Sequence, residues 1–167
     1  MWEINGLPLH PLIVHAAVVL GPLAALSALA YVGLPKHRDL LRWVALVTVV
    51  VGFLTIWAAY FSGNNFYSNG HFDTFSDKIQ DRIHTHQSYA RTLRWITTGF
   101  AAVTVLATWL HSRTGPTRTV LGLLVVVGAV LTLVWVALTG EAGARAVGAG
   151  VLVAPRFPRP PGRPPHR

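Results

Sequence analysis

The chain has 167 residues, of which 52% are apolar and 12% are charged, and its mean hydropathy is +0.47. Soluble domains carry about 25% charged residues, so this composition excludes an ordinary soluble domain and favours lipid as the solvent. The sequence contains no cysteine, which excludes disulfides, thiolate metal sites and cysteine-ligated iron–sulfur clusters. A formal net charge of +8 favours contact with anionic lipid or an acidic protein surface over contact with nucleic acid.

The N-terminal residues 2–9 are predicted to form a short lead-in at the membrane interface, with a turn at Asn5-Gly6. Glu3 stands where a secretory signal would carry basic residues, and the apolar run that follows is too long for a signal core. We therefore expect the first helix to remain in the protein.

Four segments without Asp, Glu, Lys or Arg are predicted to cross the membrane, at residues 12–34, 43–62, 95–110 and 119–139. A helix rises about 1.5 Å per residue and the hydrocarbon layer is about 30 Å thick, so a span needs roughly 20 residues. The third segment is short, but its helix is predicted to begin earlier, after Ser76. The connections at residues 35–39 and 111–118 are short, which predicts an all-α membrane protein with an up-down-up-down four-helix bundle.

The second span is predicted to stop at the turn signal Gly63-Asn64-Asn65, followed by a loop that carries Phe66, Tyr67, Phe72 and Phe75. After this loop, apolar or small residues recur at spacings of three or four and share one helix face, and His86 lies among them. The members of this stripe are Ile79, Ile83, His86, Ala90, Leu93 and Thr97. His86 is therefore predicted to face the bundle interior, whereas His84 lies on the polar side.

His15 is the only side chain after His10 that titrates near neutral pH in the apolar run that ends at Pro35. An imidazole placed in hydrocarbon costs several kcal/mol unless its ring nitrogens find partners, so such residues usually face the inside of a bundle. We therefore predict that His15 faces inward.

An up-down-up-down bundle brings the start of the first and third helices and the end of the second and fourth to one membrane face. This arrangement predicts that His10, His15, His86 and Glu141 meet at one mouth. The bundle is expected to occupy residues 1–150, and residues 151–167, rich in Pro and Arg, are expected to form a disordered tail. Basic residues flank both faces, although those in the short connections favour a mouth outside the cell.

The run from Ile4 to His15, INGLPLHPLIVH, resembles the opening of the bacterial membrane family catalogued as domain of unknown function 2231. The resemblance extends to about residue 150 and implies a histidine before the third span, which His86 matches. The family pattern after the fourth span is Gly-His-x-Gly-Ala, where this chain has Gly140-Glu141-Ala142-Gly143-Ala144. The family has no established activity, and fusion of related domains to Rieske iron–sulfur domains implies association with redox proteins.

Three hypotheses compete for the histidines, and the first of them has a purely structural alternative. His15 and His86 could ligate a b-type haem, or could form a hydrogen-bonded pair that only stabilises the bundle. His10, His15, His86 and Glu141 could instead hold a divalent metal. The third hypothesis is an accessory or assembly subunit of a larger membrane complex without any cofactor. Under all of them we expect a multi-pass plasma-membrane protein that contacts lipid and other membrane or redox subunits, binds no nucleic acid and is not an enzyme by itself.

Overall fold

The computed structural model describes residues 3–4, 7–69 and 76–153. A two-stranded antiparallel ladder comes first, formed by β1 (Glu3–Ile4) and β2 (Leu7–Pro8). Four long helices follow, α1 (Leu9–Gly33), α2 (Arg38–Asn69), α3 (Asp77–Trp109) and α4 (Pro116–Val153), with a 3₁₀ turn at Pro35–His37 between the first two. The predicted Asn5-Gly6 turn, Phe72 and Phe75, and residues 154–167 of the predicted tail lie outside the described residues. Residues 151–153 are also predicted as disordered tail, and this is wrong, because they continue α4 to Val153.

The helices form the predicted up-down-up-down bundle. α1 packs on α2 and α4, and α3 packs on α4 and α2. The first two helices are antiparallel, because His10 near the start of α1 contacts Ser62 near the end of α2, while Ser27 later in α1 contacts Thr48 earlier in α2. We call the end that holds the start of α1 and the end of α2 the mouth face, and the opposite end, with the two short connections, the turn face.

Three of the helices, α1, α2 and α4, are long and apolar enough to cross a membrane. The first half of α3 carries charged residues before the uncharged segment that begins at Trp95. This helix presents its predicted stripe to the bundle, since Ile79, Leu93 and Thr97 are buried. Its predicted start is also confirmed, because Ser76 is the extended residue that precedes the first turn.

Small residues allow the helices to approach closely at the centre of the bundle. Ala24, Ala25 and Ala28 on α1 are buried and form a face of small residues. Gly52 on α2 lies against this face: a Cβ added there would fall 3.1 Å from both the Ala24 Cβ and the Leu20 carbonyl oxygen. The α1–α2 crossing therefore depends on a position without a side chain.

The predicted end of α2 at Gly63-Asn64-Asn65 is wrong, because the helix continues to Asn69. Gly63 packs against a side chain of α1, and Asn65 contributes a carbonyl that accepts hydrogen bonds from the Ser68 hydroxyl and the Asn69 amide. Packing and local hydrogen bonds thus override the turn preference of these residues. Phe66 and Tyr67, which the sequence predicts in a loop, therefore lie on the last turns of α2.

Candidate functional site

His10 lies in the first turn of α1 and packs against the end of α2 at the mouth face. Its Nδ1 lies 3.1 Å from the Ser62 hydroxyl, and its ring stacks on Phe66 with centroids 5.9 Å apart. A Cβ on Gly63 would fall 2.9 Å from the His10 Cε1. Ser62, Gly63 and Phe66 of α2 thereby position the half-buried imidazole of His10. The contact with Gly63 is so close that a side chain there would displace the ring.

His86 is held in the same way between α3 and α4. Its Nδ1 lies 3.0 Å from the main-chain carbonyl oxygen of Thr139. A Cβ on Gly143 would fall 3.1 Å from the His86 Cε1, so the ring rests directly on this glycine. The prediction that His86 faces the bundle is confirmed by its half-buried position and by these contacts to α4.

The hydrogen bonds determine which nitrogen of each ring carries hydrogen. A carbonyl oxygen only accepts, so His86 donates from Nδ1 to Thr139. Ser62 donates its hydroxyl hydrogen to the Ala59 carbonyl at 3.0 Å, which makes the Ser62 oxygen the acceptor for His10 Nδ1. In the neutral state each ring then presents the lone pair of Nε2, which is the atom available to ligate a metal.

His10 and His86 lie on diagonal helices of the bundle, since α1 packs on α2 and α4 and α3 packs on α4 and α2. His10 is in the first turn of α1, whereas His86 is in the third turn of α3, within its charged half. The mouth face thus brings together residues 76 positions apart, as the up-down arrangement predicts.

His15 does not join this pair. It is exposed on the outer side of α1, and its Nδ1 donates to the Pro11 carbonyl at 2.6 Å. The prediction that it faces inward is wrong for a geometric reason: Ala17 packs in the interior, and a position two residues away lies about 200° around the helix. His10 lies seven residues before Ala17 and therefore shares its face.

Glu141 also points away from the two mouth histidines. Its carboxylate contacts Arg145 one turn further along α4, with Oε1 2.5 Å from Nη2, and both side chains are exposed. Within residues 3–4, 7–69 and 76–153, no three His, Asp or Glu side chains gather into a metal-binding group. The predicted four-ligand set is therefore not assembled, because His15 and Glu141 face outward.

The turn face contains a polar network that the sequence interpretation missed. Tyr31 is fully buried, donates from its hydroxyl to the Ala107 carbonyl at 3.0 Å, and accepts from Arg38 at 3.1 Å. His111 reaches the same hydroxyl at 3.3 Å and contacts Asp39 at 2.7 Å. The sequence signal that could have predicted this network is a tyrosine in the last turn of an apolar helix, at the same level as the charged connections.

A third cluster lies between α2 and α3 near the mouth face. The guanidinium of Arg94 lies over three aromatic rings, at 4.1 Å from Tyr60, 5.1 Å from Trp95 and 5.2 Å from Trp57. Trp57 also donates to Thr98 at 3.0 Å. The structure thus places three aromatic rings around one cation.

Comparison of the chain with protein-family models, with curated proteins and with solved structures finds no match. The resemblance to domain of unknown function 2231 thus stays a prediction, and the function has to be inferred from the geometry of the site.

Proposed function

We propose that this chain is a multi-pass plasma-membrane subunit that binds one b-type haem through His10 and His86 and associates with redox proteins. A single observation carries this proposal: both mouth histidines use Nδ1 for a hydrogen bond to an oxygen acceptor, which leaves Nε2 as the ligating atom. Metal-ligating histidines characteristically have this second hydrogen bond, because it orients the ring and fixes its tautomer.

The donor set fits a non-covalently bound haem. Two imidazoles are suitable ligands for haem iron, and helix bundles hold such cofactors with side chains from different helices. The chain has no cysteine for thioether attachment, so the b type is the appropriate class. Bound haem would supply one-electron transfer. The residues of this chain would orient the ligands through Ser62 and Thr139 and provide flat contacts at Gly63 and Gly143.

A structural role without a cofactor is the second candidate. It is favoured by the direct contact of both rings with glycines of the neighbouring helices, which lets the imidazoles fill space between helices. In that case His10 and His86 act as hydrogen-bonded spacers that lock α1 to α2 and α3 to α4. The chain would then serve as an accessory or assembly subunit.

The absorbance spectrum of the protein, purified in mild detergent from cells supplied with a haem precursor, separates the two candidates. We expect a Soret band at about one haem per chain. His10→Ala and His86→Ala should lose most of this absorbance. His15→Ala is the matched control, because it removes an exposed histidine of the same helix, and it should retain the band.

A wild-type protein without a Soret band after haem loading would contradict haem binding. If metal analysis of that preparation also gave no stoichiometric ion, and if His10→Ala and His86→Ala lowered only the thermal unfolding midpoint, the structural role would be supported instead.

A further inference from the structure

A groove between α3 and α4 opens on the flank of the bundle near the mouth face. Its lining includes Arg82 and Tyr89 from α3, and Leu138, Glu141 and Arg145 from α4, and it has a volume of about 260 Å³. One ordered water needs only roughly 10–15 Å³, so the groove has room for a small molecule or a lipid headgroup. The histidine pair of the mouth is not part of this lining, so the groove is a separate feature.

The arginines of the groove are held in place by the protein itself. Arg82 donates from Nη1 to the main-chain carbonyl of Arg145 at 3.0 Å, which ties the side chain of α3 to the end of α4. A guanidinium has five N–H donors, so this bond leaves donors of Arg82 available. Arg145 shares its charge with Glu141. The two arginines and one glutamate give the lining a net charge of +1.

The groove lies where the apolar spans give way to charged residues. Leu138 is at the end of the apolar part of α4, whereas Arg82 and Tyr89 precede Trp95, where the uncharged part of α3 begins. Leu138 and Ala142 form an apolar wall of the groove next to the arginines. A ligand that fits this arrangement has an anionic head and a hydrocarbon body, and arginine is the side chain best suited to phosphate oxygens.

We propose that the α3–α4 groove binds the phosphate of an anionic membrane lipid, with Arg82 as the main phosphate contact and Leu138 against the start of the acyl chain. Glu141 opposes binding, because it places a negative charge at the same site and occupies Arg145. The groove is a lipid site independent of haem binding at His10 and His86.

The test measures the thermal unfolding midpoint of the full chain in neutral detergent while phosphatidylglycerol is added. Phosphatidylglycerol should raise the midpoint in a concentration-dependent way, because a ligand that binds the folded state stabilises it. Arg82→Gln should weaken the apparent affinity about tenfold, the effect of losing one charge-assisted hydrogen bond. Glu141→Gln should strengthen it. Arg113→Gln, on the turn face, is the matched control and should leave it unchanged.

Two further additions identify the ligand. Phosphatidylcholine should raise the midpoint much less, and inorganic phosphate should not reproduce the effect of phosphatidylglycerol. Equal protection by phosphatidylcholine would overturn the proposal by removing the anionic preference, and equal protection by inorganic phosphate would assign the groove to a free anion. If Arg82→Gln does not fold, the Glu141→Gln variant decides: unchanged or weaker affinity for phosphatidylglycerol overturns the proposal.

Discussion

The two mouth histidines differ from His15 in what lies against the ring. His10 rests on Gly63 and His86 rests on Gly143, whereas the exposed His15 donates to the preceding turn of its own helix. The contact with a glycine of another helix and the hydrogen bond from Nδ1 to an oxygen acceptor together fix the position of each ring. This packing makes His10 and His86 a defined pair.

Gly63→Ala should disturb this pair without unfolding the bundle. The new methyl would approach the His10 Cε1 to 2.9 Å, so the ring must shift and its bond to Ser62 is weakened. The loss of about 1 kcal/mol for the hydrogen bond is partly offset by the better helix propensity of alanine. We expect a small change in the free energy of unfolding, measured in mixed detergent micelles, but a clear loss of haem absorbance.

Gly140→Ala on α4 is the control for this change, because no atom of the described residues beyond its chain neighbours and its own helix backbone lies within 4 Å of the added Cβ. It should retain haem and gain up to about 1 kcal/mol in stability. Equal loss of haem in both variants would mean that the Gly63 contact does not position His10.

Tyr31 should contribute more to stability than its exposed neighbours in the turn-face network. Tyr31→Phe removes a buried hydroxyl that contacts the Ala107 carbonyl and Arg38, and we expect a loss of about 1–3 kcal/mol. Asp39→Asn removes the charge of a carboxylate that is 94% exposed, and exposed ion pairs contribute only about 0–1 kcal/mol. Unfolding in mixed micelles measures both changes, and a larger effect of Asp39→Asn would contradict this ranking.

At the scale of the helix, the α1–α2 crossing depends on Gly52. Gly52→Ala brings a methyl to 3.1 Å from a backbone carbonyl, which cannot move as a side chain can, so the helices must separate. We expect a loss of about 1–3 kcal/mol in the free energy of unfolding. Gly99→Ala in α3 should be neutral or slightly stabilising, because in the part of the chain that the structure describes the added Cβ meets nothing within 4 Å beyond its chain neighbours and its own helix backbone. Similar losses in both variants would rule out close packing at Gly52 as the cause.

The sequence predicts the helices well because lipid requires long apolar segments. It predicts the inward face of α3 because apolar residues recur at spacings of three or four and polar residues cover the opposite face. The first helix lacks such a contrast. It is apolar on all sides, so periodicity cannot distinguish the inner face of His10 from the outer face of His15. The continuation of α2 through Gly63 depends on contact with α1, which local turn preferences cannot reveal.

The surface of the whole molecule is that of a bundle in lipid. Large apolar side chains point outward from three helices, among them Val19, Leu40 and Leu123, each more than 60% exposed. Water would penalise such a surface, whereas lipid solvates it. The histidine pair lies at the mouth face and the Tyr31 network at the turn face. Ligand chemistry is therefore expected near the membrane surface.

The most direct test of the His10–His86 site is electron paramagnetic resonance of the ferric, haem-loaded protein in mild detergent. Two imidazole ligands should give a low-spin signal in the wild type and in His15→Ala, and a high-spin signal or no haem in His10→Ala and His86→Ala. A low-spin signal that persists in His10→Ala and disappears in His15→Ala would contradict the assignment of His10 as the partner of His86.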